Sequence, residues 1–222
     1  MKKLIIVLMV AVLTANIQSQ TAKNGEVVLS DGIEFVYVEG RGNVDAFYIG
    51  KFEVTQAQWK DIMGNNPSKF KGDNHPVEKV SWNDVQEFLS KLNARTGKNY
   101  RLPTLNEWEF AARGGSLSKG YQYSGSNDIN AVAWHRKNSG KRTHPVGTRQ
   151  PNELGIYDMS GNIQEWCIDV HSQDNTRVFR GGSSWDYLAG MSLTFQTQIY
   201  GSGISNKAIG FRLAYSLVEN KE

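Results

Sequence analysis

Between Val27 and Phe52, short apolar runs alternate with Gly, Asn and Asp. The pieces VVLS, IEFVYVEG and AFYIGKFEV are rich in β-branched and aromatic residues, and the turn residues between them predict strands joined as hairpins. At Thr55 the period changes. Trp59, Ile62 and Met63 recur at helical spacing before Gly64. Thr55 and Gln58 form a capping box that satisfies amides at a helix start, so a helix is expected over 55–63. Ser81 and Asp84 repeat the signal, Val85, Phe88, Leu89 and Leu92 supply an apolar stripe, and Gly97 ends a second helix. Thr104 and Glu107 open a short third helix with Trp108, Ala111 and Ala112 on one face and Gly114 and Gly115 as its stop. Beyond Gly115 the chain is rich in Gly, Asn, Ser and aromatics and predicts no helix, only short strands near 177–179 and 211–215.

A chain of 222 residues with 39% apolar types suits one compact domain. Lys2 and Lys3 precede an apolar run from Leu4 to Leu13 that is too short to span a bilayer, and small polar residues follow. That layout is a secretory signal peptide over residues 1–19, leaving a domain over 20–222 that is expected to be periplasmic or secreted, with no integral membrane segment after cleavage. The single cysteine, Cys167, is not placed for a lipid anchor. Removing Lys2 and Lys3 lowers the excess of 25 basic over 22 acidic residues from +3 to +1, a balance that does not call for a nucleic-acid or membrane-surface partner. One cysteine makes no internal disulfide. Between Trp166 and Ile168 it reads as a small buried hydrophobe. A loop-rich half without disulfides must offset about 1–2 kcal/mol of chain entropy per ordered residue, for which buried tryptophans and bound ions are available.

The stretch RLPTLNEWEFAARGG from Arg101 resembles the most diagnostic segment of the formylglycine-generating-enzyme (sulfatase-modifying factor) family. FEVTQAQW (52–59), NPSKF leading into HPVEKVSW (66–82), PNELGIYDMSGNIQEW (151–166), RGGSSW (180–185) and IGFRL (209–213) follow the family's blocks in order. The resemblance implies an α+β class: a compact, irregular C-type-lectin-like fold with little regular secondary structure. Enzymes of the family carry two cysteines after the Gly-Gly-Ser turn, whose thiolates bind copper(I) and activate oxygen. The matching positions here are Asp186 and Met191. A carboxylate is a hard ligand and a thioether a weak soft one, so copper and formylglycine generation are not expected. The sulfoxide-synthase branch holds iron through histidines on an extra helical domain, for which this chain has no counterpart.

The resemblance also implies a structural calcium site, with Asp158 and Glu165 binding through side chains and Gly161 and Ile163 through main-chain oxygens. Spacing alone leaves open that the two acids instead hold loop amides and Arg180 or Arg212. A second calcium site near Asn130 and Ala131 lacks the acidic loop that would complete it. His75 and His144, each in a His-Pro-Val triplet, read as turn residues. Asp169 with His171 is too few ligands for a metal site and reads as a solvated loop.

Three functions stay open. The first is a non-catalytic binding or accessory protein for an extracytoplasmic protein, peptide or glycan. Its surface would be Trp185, Asp186, Tyr187, Gln198, Tyr200 and Asn206, with Gln196 beside them, flat aromatics and amides suited to such contacts. The second is an enzyme, either the formylglycine-generating oxidase or one of altered chemistry. The third is a structural envelope subunit.

Overall fold

The structure, a computed structural model, describes residues 22–170, 176–193 and 198–217. The expected signal segment, His171 and Gln196 lie outside these residues. In chain order the elements are β1 (Val27–Ser30), β2 (Ile33–Val38), β3 (Phe47–Gly50), α1 (Gln56–Met63), α2 (Trp82–Thr96), α3 (Leu105–Ala112), α4 (Ile129–Val132), β4 (Gln164–Val170), β5 (Thr176–Arg180), β6 (Gln198–Gly201), β7 (Ile209–Gly210) and β8 (Ala214–Ser216). Short 3₁₀ turns lie at Gly115–Leu117 and Leu188–Met191. The class is α+β, with long irregular connections.

Two four-stranded sheets organise the chain, in the orders β1-β2-β3-β8 and β6-β5-β4-β7. The first grows from the two N-terminal hairpins and closes when β8 pairs antiparallel with β3, Tyr48 opposite Tyr215. In the second, β4 pairs antiparallel with β5 and parallel with β7, which places Glu165 opposite both Arg180 and Gly210.

The three expected helices form where their caps predict. Thr55, Ser81 and Thr104 each accept from the amide three residues on, and Gln58, Asp84 and Glu107 each return a bond to the cap amide. Each such cap contributes roughly 0.5–2 kcal/mol. α1 and α2 end on Gly64 (φ 76°) and Gly97 (φ 70°), in the left-handed region that glycine enters without penalty. The stripe on α2 is buried, and Phe88 stacks on Trp59 at 5.3 Å and meets Phe211 edge-on at 5.3 Å. α3 turns Trp108, Ala111 and Ala112 onto Leu154, Met159, Cys167 and Val178, and so ties the helical half to the second sheet.

Several elements escape the sequence pattern. β4 is not anticipated because its first four residues, Gln164 to Cys167, are all buried, and a strand covered on both faces shows no alternation. β6 lies in a stretch without period. α4 is a single turn, too short to show one, although Asp128 caps it by accepting from the Asn130 amide. Of the strand expected near 211–215 only its end falls in β8, and 211–213 form an irregular link between β7 and β8. Between them the carbonyls of Phe211 and Leu213 accept from Val54 and Gly50 instead of continuing either ladder.

Candidate functional site

The residues expected to hold calcium lie where the chain bends into β4. Asp158 (φ 60°), Gly161 (φ 93°) and Asn162 (φ 58°) all take left-handed conformations. A Cβ on Gly161 would stand 2.4 Å from the carbonyl oxygen of Trp134, so only glycine fits there. The bends fold the segment around a buried charge cluster. Glu53, Asp158, Glu165 and Arg212 are at most 3% exposed. Arg212 donates from Nε to Glu165 Oε2 at 2.7 Å and from Nη2 to Oε1 at 2.6 Å, and also to the carbonyls of Gly50 and Tyr157. Trp108 Nε1 donates to Glu165 Oε2 at 2.6 Å. Glu53 accepts from Asn162 Nδ2 at 2.8 Å and from the Ile163 amide at 3.2 Å. Asp158 accepts from the Gly147 amide at 2.7 Å through Oδ2, while its buried Oδ1 has no partner.

Three buried carboxylates thus surround one guanidinium. Burial, followed by the neighbouring charges of Asp158 and Glu165, pushes the Glu53 carboxyl well above the usual range. Burial also pushes Asp158 up to about 6. Burial opposes the charge on Arg212, but Glu165 with Glu53 and Asp158 together more than offset this, and the pKa of Arg212 is raised. Asp158 and Glu165, the two expected side-chain ligands, therefore share one buried cluster, and the alternative arrangement is present in part: Glu165 holds Arg212, whereas Arg180 pairs with Glu109 at 2.8 Å. A hard cation would find one free buried carboxylate oxygen, Asp158 Oδ1. It would find Glu165 already engaged by Arg212 and Trp108. The donor set fits calcium in part. Among the described residues, no group of three or more His, Cys, Asp or Glu side chains is arranged to hold a metal ion. Glu53, Asn162 and Trp108 were not singled out from the sequence as partners of this site. The signal available was an acid inside the apolar block FEV, which only burial with a partner accommodates.

The loop after Gly181 is built from tight turns. Gly182 (φ 68°) passes the Gly190 carbonyl so closely that a Cβ would lie 2.6 Å from its oxygen. Asp186 accepts from Ser183 Oγ at 2.7 Å and from Gln164 Nε2 at 3.2 Å through the same oxygen. Met191 is buried against Tyr123, Ile129, Val132 and Ala133. The cavity beside it, lined by Trp108, Phe179, Gly182 and Leu193 among others, has a volume of about 10 Å³, no more than a single water needs. Cys167 is fully buried on β4, and burial raises its thiol well above the ordinary value. Copper(I) does not fit the residues at this place: one position is a hydrogen-bonded carboxylate and the other a thioether packed into the core.

Trp185, Asp186 and Tyr187 do share a surface. Tyr187 is exposed, with the Arg136 guanidinium 4.7 Å above its ring, and Lys207 lies 3.3 Å from the Trp185 ring. Tyr200 is exposed on the edge strand β6 and stacks on Phe179 at 5.0 Å, and Gln198 precedes it opposite Phe179. Asn206 is a turn residue: its Oδ1 accepts from the Ala208 amide and its carbonyl from Lys79 and Ile209. Among the described residues no hydrogen bond or ring contact joins Tyr200 or Asn206 to Trp185, Asp186 or Tyr187. His75 bonds Thr143, and His144 stacks on Trp134 while bonding the Ser139 carbonyl. Asp169, expected in a solvated loop, sits on β4 and accepts from the Leu105 amide at 2.6 Å at the start of α3, where a helix offers free donors.

The family profile described as "Sulfatase-modifying factor enzyme 1-like domain" matches residues 9–217. A protein from Paenibacillus barcinonensis named "Chaperone protein LppX" is 36% identical over 82% of this chain and 88% of its own length. The "Formylglycine-generating enzyme" of Thermomonospora curvata is 37% identical over 54% of this chain, an alignment that spans 42% of that enzyme. Among solved structures, the Treponema denticola variable protein 1 superposes with a TM-score of 0.71 at 27% identity, covering 85% of this chain and 98% of that one. These matches and the architecture agree, and the chain belongs to the family of sulfatase-modifying factor enzyme 1-like domains.

Proposed function

We propose that this protein is a non-catalytic binding or accessory protein acting in the cell envelope or outside the cell, on a protein, peptide or glycan ligand. The observation that carries the reading is the state of the loop after Gly181. Where the family's enzymes place two thiolates, Asp186 is tied into the loop by Ser183 and Gln164, and Met191 is packed into the core. Cys167, buried on β4 with its thiol pKa raised, supplies no reactive thiolate in their place. The relative named a chaperone supports a role in binding another protein, since this chain covers 88% of its length. The layout of residues 1–19 supports export. Structural calcium belongs to the same proposal and is supported by the unpartnered Asp158 Oδ1.

The test is to supply the purified protein with copper(I), reductant, oxygen and a cysteine-bearing sulfatase-motif peptide, and to follow the peptide mass beside a cysteine-containing relative. An untouched peptide is expected. Conversion to formylglycine at catalytic yield would return the protein to the oxidases and end the binding reading.

A further inference from the structure

The connection from Ile129 to Asn152 carries Arg136, Lys137, Lys141, Arg142 and Arg149 and no acidic residue, with Asp128 and Glu153 just outside it. None of these five cations forms an ion pair among the described residues. Lys51, Arg95, Arg101 and Arg212, elsewhere in the fold, are each paired with an acid. A chain whose net charge is only +3 therefore concentrates unpaired positive charge on one connection.

Two of the guanidiniums are held by aromatic rings. Arg149 lies 3.7 Å from the Trp134 ring centre and Arg136 lies 4.7 Å from that of Tyr187. His144 stacks on the same Trp134 ring at 3.7 Å, so the indole is covered on both faces. Stacking orients a guanidinium without using its N–H donors; Arg149 gives one of them, from Nη1, to the Asn130 carbonyl at 2.9 Å, which fixes the direction in which the rest of its fork points. The Arg136 amide donates to the Asp186 carbonyl, which joins this cationic connection to the loop carrying Trp185 and Tyr187. There the Lys207 ammonium over Trp185 adds a further charge.

We infer that this face docks an acidic, Asp- and Glu-rich peptide segment of another protein, with Arg136, Arg142 and Arg149 taking carboxylates and Tyr187 packing beside them. The inference rests on the binding reading above and gives it a ligand class. Arginine forks match carboxylates, and Tyr, Trp and Arg are the side chains that concentrate in protein interfaces. A base-stacking partner is disfavoured because Trp134 is already enclosed between His144 and Arg149.

Fluorescence anisotropy of a labelled oligoglutamate peptide, titrated with the purified protein at low and physiological salt, tests this. Binding that weakens as salt rises is expected. The triple variant Arg136→Gln, Lys137→Gln, Arg142→Gln should bind about tenfold more weakly. The control Lys23→Gln, Lys60→Gln, Lys119→Gln, with the same charge loss elsewhere, should bind as the parent does, and all three proteins should share one unfolding midpoint. Absence of oligoglutamate binding at low salt, or equal weakening in both triples, overturns the assignment. So does tighter binding of phosphatidylglycerol vesicles, heparin or oligothymidylate through the same residues. Failure here with the sulfatase peptide untouched leaves the binding reading standing on another surface, whereas formylglycine formation removes that reading whatever oligoglutamate does.

Discussion

Arg212 grips Glu165 through two parallel bonds of 2.7 and 2.6 Å at a place where neither side chain is exposed at all. Removing either partner leaves the other as an uncompensated buried charge, which costs about 3–5 kcal/mol. Glu165→Ala and Arg212→Ala should each lower stability by that amount. In a domain of this size that amounts to roughly 10 °C in the thermal midpoint, readable by circular dichroism.

Asp158 makes stability depend on pH in a definite direction. Its pKa is 3.8 as a free carboxyl and about 6 in the fold. Between these values the folded state keeps a proton that the unfolded chain has released. The contribution is complete below the lower value and is lost as pH rises through about 6. Asp158→Asn keeps an acceptor for the Gly147 amide and tolerates the positive φ, but cannot ionise. In calcium-free urea titrations, the stability of the variant relative to wild type should rise by roughly 2 kcal/mol between pH 4 and pH 7. A flat difference would mean that Asp158 titrates normally.

The same oxygen decides the calcium proposal. A cation bound to Asp158 Oδ1 in the folded state alone stabilises by mass action. Millimolar calcium added after EDTA should therefore raise the melting temperature of the wild type by a few degrees and leave Asp158→Asn unchanged. A wild type indifferent to calcium would remove calcium from the proposal.

Cys167, enclosed by Trp108, Met159 and Val178 beneath α3, should resist a thiol reagent such as dithionitrobenzoate. Modification is expected only at denaturant concentrations that unfold the protein. Rapid labelling of the native state would show that the second sheet opens locally and would weaken the case against a reactive thiol.

The three longer helices were legible because each begins with a hydroxyl cap and an answering side chain three residues on, chemistry that works within one turn. The two N-terminal hairpins were legible because runs of β-branched and aromatic residues are bounded there by Gly, Asn and Asp turns. β4 was not, because Trp166 and Cys167 are buried in succession and leave no period to read. The charge cluster was half legible. Asp158, Glu165 and Arg212 stand in recognisable blocks, but Glu53 reaches Asn162 and Ile163 across more than a hundred residues, and no local rule encodes such a meeting. The partition of the loop residues was also out of reach: Asn206 and Trp185 look alike as candidates in sequence, and only the backbone path makes one a turn support and the other a surface ring.

The charge cluster bears on the order in which this molecule can be made. Arg212 bonds the Gly50 carbonyl 162 positions earlier and Glu165 47 positions earlier. A nascent chain that has not yet reached Arg212 holds three carboxylates destined for one interior and no guanidinium to receive them. Early collapse around Glu165 would bury charge without a partner, so the polypeptide gains by waiting. Contacts of such long sequence separation also make folding slow. The fold should thus commit late and as a whole, and fragments that stop before Arg212 should remain open chains.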